Sequence, residues 1–364
     1  MAGALHDVGA LTLAERLNLL QFDTLNPQLH AEIGYMFLKD FSPFKEIAEI
    51  VKYHHVDYSV RSLNEIPLGS FIINLADKVD ITSPKNKNIL NHREVIKGEI
   101  NKNSSLFSPQ VLLAFNKLAE KEHFWLDLVN PAIDNLLKRL MAPAYLTLGI
   151  ESLLEVSKLF SRIIDFRSRF TFTHSSGVAA VSEAIAKITG FTPKDVKMIK
   201  VAGYLHDLGK LAVPNSILEK PGKLTPEEYN IVKGHTYYTR TILANINGFE
   251  VINDWASLHH EKLDGTGYPF HYQAKDISIG SRILAVADIF TALSENRPYR
   301  QGLGKNEILQ ILNKYVKSNS LCASIVKITE DNYDEIYAAR IQAESVMESE
   351  IESFQESLHF AKQI

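Results

Sequence analysis

The chain has 364 residues, 45% of them hydrophobic, and a formal net charge of -4, a composition typical of a globular protein with room for two domains. It contains no run of roughly 18 apolar residues that could span a bilayer, and its charge excludes the broad basic surface that binds duplex nucleic acid. Cys322 is the only cysteine, which excludes an internal disulfide; with no signal-peptide pattern, a cytoplasmic protein is expected.

Strand patterns are scarce throughout the chain and amphipathic segments are frequent, which predicts an all-α fold. In chain order we expect a first helical module at 1–80, connecting helices at 81–145, a second module at 146–320 and a helical tail at 321–364. Thr192 is a predicted N-cap with Pro193 at the first helical position. Thr225 and Glu228 have the spacing of a capping box.

The chain carries two copies of one pattern. GALHDVGAL at 3–11 resembles GYLHDLGKL at 203–211, and YHHVDY at 53–58 resembles LHHEKLD at 258–264. The histidine before each pair lies 24 residues upstream in both copies. The second copy is six residues longer between its paired histidines and the next shared aspartate, where it contains DGTGYP. These intervals predict two homologous modules, of which the first lacks some pieces.

The second copy concentrates residues suited to metal binding: His174, His206, Asp207, His235, His259, His260 and Asp288. A carboxylate within an apolar helix, such as Asp288 in ILAVADIFTAL, is costly unless it is paired or coordinated. Imidazole and carboxylate ligands suit iron, manganese or zinc. Seven ligands are too many for one tetrahedral ion and fit two, with Asp207 as the bridge, because adjacent residues on a helix diverge by about 100°. Such a pair of ions suits displacement at phosphorus.

These motifs, with Gly209-Lys210, HHEKLDGTGYP and NRPYR, resemble those of the HD-GYP family of HD-domain metal-dependent phosphohydrolases over roughly residues 165–315. The resemblance implies hydrolysis of the bacterial second messenger cyclic di-GMP to linear pGpG, and in many members on to GMP, through a metal-bridging hydroxide. It implies two divalent ions, iron or manganese. By this resemblance one ion is held by His174, His206, Asp207 and Asp288, and the other by Asp207, His235, His259 and His260.

The resemblance also implies a substrate side of the site. The implied substrate-binding residues are Lys210, Gly267, Tyr268, Arg297 and Arg300, and the implied catalytic residues are Lys210 and Asp207. Lys210 is a compact cation that can offset charge in the transition state, and Tyr268 offers a flat face to a guanine base. Trinuclear members carry a glutamate four residues before the first histidine, where this chain has Phe170, so two ions are expected rather than three.

The first copy retains part of the ligand set: His6, Asp7, His30, His54, His55 and Asp77. It has Ala10 where the second copy has Lys210, and it lacks the GYP turn. The helix that would carry its first histidine would precede Met1. We therefore expect a shortened or degenerate module with a regulatory or dimerising role, and a residual metal site is the alternative.

Several functions remain open at this level. The leading prediction is a phosphodiesterase acting on cyclic di-GMP. The alternatives are another cyclic or linear dinucleotide or a nucleotide monophosphate as substrate, or a cyclic-dinucleotide receptor without catalysis. In the tail, Met347, Ile351, Phe354, Leu358 and Ala361 form an apolar seam. This seam predicts docking onto the chain's own body or, alternatively, a homodimer contact.

Overall fold

The computed structural model describes residues 1–10, 28–59, 66–85, 87–133, 135–137, 147–166, 173–220, 222–296 and 301–361, with only the backbone at 351 and 353–361. The regular secondary structure in these ranges is helical, and the strand-like pairing found there is an isolated bridge between Asp264 and Gln273. The predicted all-α fold is confirmed. Among the described helices, none combines the length and the apolarity needed to cross a bilayer.

The chain divides into two compact units. One comprises Met1–Thr147 with Glu356–Ile364, and the other comprises Leu148–Gln355. The finer division at residues 80, 145 and 320 stays a prediction.

The first unit is built from short helices. They are α1 (Ala2–Leu5), α2 (Gln28–Leu38), α3 (Lys45–Lys52), α4 (Leu68–Thr82), α5 (Arg93–Lys102), α6 (Pro109–Leu118) and α7 (Glu122–Leu128). An apolar cluster that includes Phe71, Ile96 and Trp125 lies among α4 to α7. The indole of Trp125 is fully buried and its Nε1 donates to the carbonyl of Ala119 at 2.8 Å, so burial leaves no unpaired donor.

The remaining described α-helices begin in the second unit. They are α8 (Ile150–Phe166), α9 (His174–Thr189), α10 (Pro193–Leu205), α11 (Asn215–Leu218), α12 (Pro226–Leu243), α13 (Glu250–Ser257), α14 (Ile279–Ser294), α15 (Lys305–Lys317), α16 (Ala323–Asp331) and α17 (Tyr333–Ala361). Helix α9 packs against α10 and α14 around a core that contains Ile185, Leu284 and Phe290. A Cβ at Gly203 would lie 2.6 Å from the Cα of Ala179, so this glycine lets α9 and α10 approach closely.

The helix starts follow the predicted capping residues. Thr192 caps α10 and its side chain accepts a hydrogen bond from the backbone N of Asp195 at 3.2 Å. Thr225 and Glu228 form a capping box at the start of α12. The two caps fix where α10 and α12 begin, and therefore which residues reach the end of α10 and the middle of α12.

The part of the last helix that belongs to the second unit packs against the core of that unit and against α8. Met347 is buried, and Glu350 forms ion pairs with Lys158 and Arg162 of α8. The other members of the predicted apolar seam, Ile351, Phe354, Leu358 and Ala361, have side chains outside the described residues.

Candidate metal centre

The His206-Asp207 dipeptide lies in a turn that is fastened to α12. Helix α10 ends just before it, and a short 3-10 helix, Leu208–Ala212, follows. A Cβ at Gly209 would lie 1.9 Å from the carbonyl oxygen of His235, so only glycine allows this packing. The hydroxyl of Thr239 accepts from the backbone N of Gly209 at 2.9 Å and donates to the carbonyl of His206 at 3.1 Å. The turn and the helix that bears His235 are thereby joined.

Three buried histidines are oriented by their own backbone. In His206, His235 and His259 the Nδ1 atom lies 2.6–2.7 Å from the carbonyl oxygen of the residue three positions earlier. A neutral imidazole that donates through Nδ1 keeps its lone pair on Nε2. Each ring therefore presents Nε2 as the ligand atom, which is the arrangement that orients histidines in metal sites.

One group of ligand atoms is formed by His235, His259 and His260, all within 4.8 Å of one another. The Nε2 atoms of His235 and His259 are 3.4 Å apart, and Asp207 Oδ1 lies 3.4 Å from His235 Nε2. The two adjacent histidines follow the end of α13 in a turn, and their ring centroids are 4.1 Å apart.

This placement corrects one expectation. His259-His260 and His206-Asp207 both follow a helix end instead of lying within a helix, so the expectation that both members of each pair are residues of a regular helix is wrong. Each pair lies in a turn just past the last residue of its helix, although His206 itself keeps helical dihedral angles.

A second group is formed by His174, His206 and Asp288, again within 4.8 Å. His174 is the first residue of α9 and Asp288 lies in the third turn of α14, and His174 Nε2 is 3.2 Å from Asp288 Oδ1. Asp207 stands between the groups. Its Oδ2 lies 3.2 Å from His206 Nε2, whereas its Oδ1 faces His235. One carboxylate thus directs its two oxygens toward different halves of the site.

The donor set fits metal ions. His206 Nε2 is buried and makes no hydrogen bond with the described residues, although Asp207 is near it. Burial alone would raise the pKa of Asp207, but the charges of His206 and Lys210 hold it well below its usual range. Burial lowers the pKa of His235 to about 3. Ionised carboxylates and neutral imidazoles bind iron, manganese or zinc, so Asp207 and His235 are in the state that binds metal. Burial alone would lower the pKa of His206, but the charge of Asp207 raises it, so metal binding at His206 releases a proton.

Lys210 lies on the 3-10 helix beside the metal-binding carboxylate. Its Nζ is 2.6 Å from Asp207 Oδ2. Burial alone would lower the pKa of Lys210, but the charge of Asp207 raises it, so the ammonium stays protonated. A fixed positive charge therefore adjoins the proposed bridging residue.

The GYP loop is anchored by a residue that the sequence analysis did not select. The carboxylate of Glu261 is buried and accepts from the backbone N of Phe270 at 2.7 Å and of Tyr272 at 3.0 Å. A Cβ at Gly267 would lie 2.4 Å from the backbone N of Lys262. The close approach predicted for Gly267 is thus to the chain's own backbone, and its role in substrate binding stays a prediction.

Tyr268 lies beside the second ligand group. Its backbone N donates to the carbonyl of His260 at 3.2 Å, and the two rings are 4.9 Å apart. Burial raises the pKa of the Tyr268 phenol above its ordinary value, so the phenol is neutral. The loop therefore holds a neutral aromatic ring against a ligand histidine.

Glu295 was also missed by the sequence analysis. It is buried just past the end of α14, and its carboxylate lies 3.1 Å from His174 Nδ1. Glu295 lies seven residues after Asp288, but this spacing alone does not single it out, because the helix ends at Ser294. Asp165 is buried as well and accepts from the hydroxyl of Ser175 at 2.7 Å, and burial raises the pKa of Asp165 to about 7.

Three predicted positions cannot be located. Arg297 and Arg300, expected at substrate phosphates, and Phe170, expected where trinuclear members have a glutamate, lie outside the described residues.

The first copy brings part of its ligand set together. Asp7, His30, His54 and His55 have ligand atoms within 4.8 Å of one another. His6 Nε2 lies 3.3 Å from Asp7 Oδ2 and 4.0 Å from Asp77 Oδ1.

Comparison with known proteins identifies the family. The HD domain family matches residues 158–321 and, separately, residues 1–82, which confirms the predicted pair of HD-like modules. The 3'3'-cGAMP-specific phosphodiesterase 1 of Vibrio cholerae is 32% identical over 95% of this chain and 83% of its own length. The cyclic di-GMP phosphodiesterase of Thermotoga maritima is 39% identical over 41% of each chain.

A solved structure gives a similar result. The crystal structure of a cyclic GMP-AMP-specific phosphodiesterase of V. cholerae, V-cGAP3, aligns with a TM-score of 0.55 and 27% identity, over 86% of this chain and 71% of that one. With the paired HD modules, the HD-Lys and GYP motifs and relatives matched over both modules, this chain belongs to the HD-GYP family of HD-domain metal-dependent phosphohydrolases.

Proposed function

We propose that the second module is a metal-dependent phosphodiesterase that hydrolyses a cyclic dinucleotide. The observation that carries the proposal is the position of Asp207, whose two oxygens face separate groups of buried histidines while Lys210 Nζ lies 2.6 Å from one of them. A half-buried ammonium beside a metal-binding carboxylate is placed to stabilise the negative charge that develops on phosphoryl oxygens, a role that a purely structural metal site does not need.

The residues divide into two ligand sets that share Asp207. One set is His174, His206, Asp207 and Asp288, and the other is Asp207, His235, His259 and His260. The two bound ions are proposed to be iron or manganese, since mixed imidazole and carboxylate ligands suit both metals. Bound divalent ions would supply an acidified water as nucleophile and positive charge for the phosphoryl oxygens.

The chain's own groups position the substrate. Lys210 would donate to a non-bridging oxygen of the scissile phosphate and offset the charge that grows there. Tyr268 would stack on a purine base, because its ring is held beside His260 by a loop that Glu261 anchors. Arg297 and Arg300 are proposed to hold the phosphates.

We infer that 3'3'-cGAMP is the preferred substrate, with cyclic di-GMP, the substrate predicted from the sequence, as the second candidate. Three relatives described as 3'3'-cGAMP-specific match 95%, 68% and 49% of this chain. The cyclic di-GMP phosphodiesterases of T. maritima, Pseudomonas aeruginosa and Xanthomonas campestris match 39–41% of it. Similarity that extends into the first module supports the hybrid dinucleotide. A cytoplasmic location and a homodimer stay predictions.

The test is a turnover assay on protein purified without oxygen and reconstituted with Fe(II) or Mn(II). Equal concentrations of 3'3'-cGAMP and cyclic di-GMP compete in one reaction, and products are separated by chromatography. We expect both to be cleaved, the hybrid faster, and Asp207→Asn to be inactive. Asp331→Asn, at an exposed aspartate paired with Lys327, is the control and should retain full activity. Binding without turnover under either metal would identify a receptor instead.

A further inference from the structure

The first module contains four ligand atoms that face one another. His30 Nε2 lies 3.0 Å from His55 Nε2, 3.3 Å from His54 Nε2 and 3.2 Å from Asp7 Oδ1. The three histidines are buried, whereas the Asp7 side chain is 39% exposed. Three imidazoles and a carboxylate therefore converge from the turn after α1, from α2 and from the turn after α3.

Hydrogen bonding alone leaves this cluster incompletely satisfied. His54 Nδ1 lies 2.6 Å from the carbonyl oxygen of Val51, so a neutral His54 carries its lone pair on Nε2. That lone pair faces His30 Nε2, which also faces Asp7 and His55. A single hydrogen on His30 Nε2 can serve one of these three neighbours. A cation at the centre would accept every lone pair.

The geometry matches the second module closely. Asp7, His30, His54 and His55 correspond to Asp207, His235, His259 and His260 in the two sequence copies. The His30–His54 Nε2 distance is 3.3 Å against 3.4 Å for His235–His259, and the adjacent histidine rings are 4.0 Å and 4.1 Å apart. A Cβ at Gly9 would lie 2.1 Å from the carbonyl of His30, as one at Gly209 would lie 1.9 Å from that of His235.

The other half of the centre is not reproduced. Around His6 and Asp77 the described residues offer no third buried donor, and the two are 4.0 Å apart. Ala10, fully buried, occupies the position of Lys210, and the segment that holds the GYP loop is six residues shorter. One ion, without the substrate-side groups, is what this donor set accommodates.

We propose that the first module holds one divalent transition-metal ion, bound by Asp7, His30, His54 and His55, whose role is to fasten three separate segments together. Three imidazoles with one carboxylate suit iron, manganese, zinc or nickel and disfavour magnesium or calcium. A cavity of about 580 Å³, lined in part by His6, Asp7 and Asp77, adjoins the ligands and gives ions and water an entry path. This site is separate from the proposed activity of the second module.

The test is the metal content of the intact chain, loaded with Mn(II) without oxygen, desalted and analysed by mass spectrometry. We expect His55→Ala to contain one ion fewer than wild type, and to cleave cyclic dinucleotide at a rate within about twofold of wild type. The matched control, His123→Ala at an exposed histidine, should keep the wild-type metal content. The proposal is tested by the difference in metal content per chain between variant and wild type. This difference does not depend on whether the second module turns over substrate.

A second measurement guards against misfolding of the variant. In wild type, added Mn(II) should stabilise the first module, because an ion that binds only the folded state stabilises that state. Hydrogen exchange of the backbone amides of α2 and α3, measured as temperature rises, monitors the unfolding of this module. Asp7→Asn and His55→Ala should lose this response while their circular dichroism stays helical. An unchanged metal content in both variants, or an unchanged response to Mn(II), would overturn the proposal.

Discussion

Glu295 lies behind His174: its carboxylate is 3.1 Å from Nδ1, while Nε2 of the same ring lies 3.2 Å from Asp288 Oδ1. A carboxylate on the far nitrogen fixes the orientation of a ligand imidazole and increases its basicity. We expect Glu295→Gln to weaken metal binding at this half of the centre by roughly 10- to 100-fold, the scale of such contacts. Mn(II) titration measures this, and restored affinity in Glu295→Asp would separate positioning from a loss of folding.

The charge of His174 makes the stability of the metal-free protein depend on pH in a defined direction. Burial alone would lower the pKa of His174, but Glu295 and Asp288 raise it to about 10. Because the pKa of His174 is higher in the folded protein, its protonation stabilises the fold. This contribution to the free energy of unfolding is complete below about pH 6.5, the pKa of His174 in the unfolded chain, and is lost as the pH rises through 10.

This dependence is measured as the difference in free energy of unfolding between wild type and His174→Asn, both stripped of metal. The difference should be largest near pH 6 and shrink toward pH 10. In the wild type, the affinity for Mn(II) should rise with pH, because metal binding releases the proton of His174. A difference that grows with pH would contradict the assignment.

Lys210 is expected to act on the reaction and not on metal content. Lys210→Met should lower kcat by about 10²–10³-fold, the scale for one charge-stabilising donor, while the metal content stays at the wild-type value. Lys327→Met is the matched control, since Lys327 also pairs with an aspartate at 2.7 Å but on an exposed surface. Loss of metal in Lys210→Met would show instead that the lysine holds Asp207 in place.

Glu261 is expected to affect substrate affinity through the GYP loop. Glu261→Gln keeps one acceptor oxygen and loses one charged hydrogen bond to the loop backbone, a cost of about 1.5–3 kcal/mol. We expect KM for the cyclic dinucleotide to rise and limited proteolysis within 264–272 to speed up, at unchanged metal content. Glu348→Gln, at an exposed position, should change none of these quantities.

Two glycines give opposite expectations for the same substitution. Gly209→Ala places a Cβ 1.9 Å from the carbonyl of His235 and should cost about 3 kcal/mol or more, with loss of metal. Gly98 lies within α5 with no atom within 4 Å of an added Cβ, so Gly98→Ala should raise the free energy of unfolding by about 0.5–1 kcal/mol. Urea denaturation checks both, and equal effects would disprove the role given to Gly209.

The sequence was sufficient to select the histidines and aspartates that the structure brings together, because the two copies repeat them in one order and at matched intervals. It could not select Glu295, which is separated from His174 by 121 residues and meets it only through the packing of α9 on α14. It also placed the paired ligands on helices, whereas both pairs lie in turns. Helix periodicity is readable from sequence, but the direction of a side chain in a turn depends on backbone angles that spacing does not specify.

The bonds from Nδ1 to a carbonyl three residues earlier make ring orientation a property of each short segment. His6, His54, His206, His235 and His259 all show this arrangement. In such a segment the local hydrogen bond fixes the orientation of the imidazole ring, so substitutions elsewhere in the chain need not rotate the ring. Such a module can gain or lose a neighbouring loop, as the two copies here differ by the GYP turn, and still present the same nitrogen atoms at the same place.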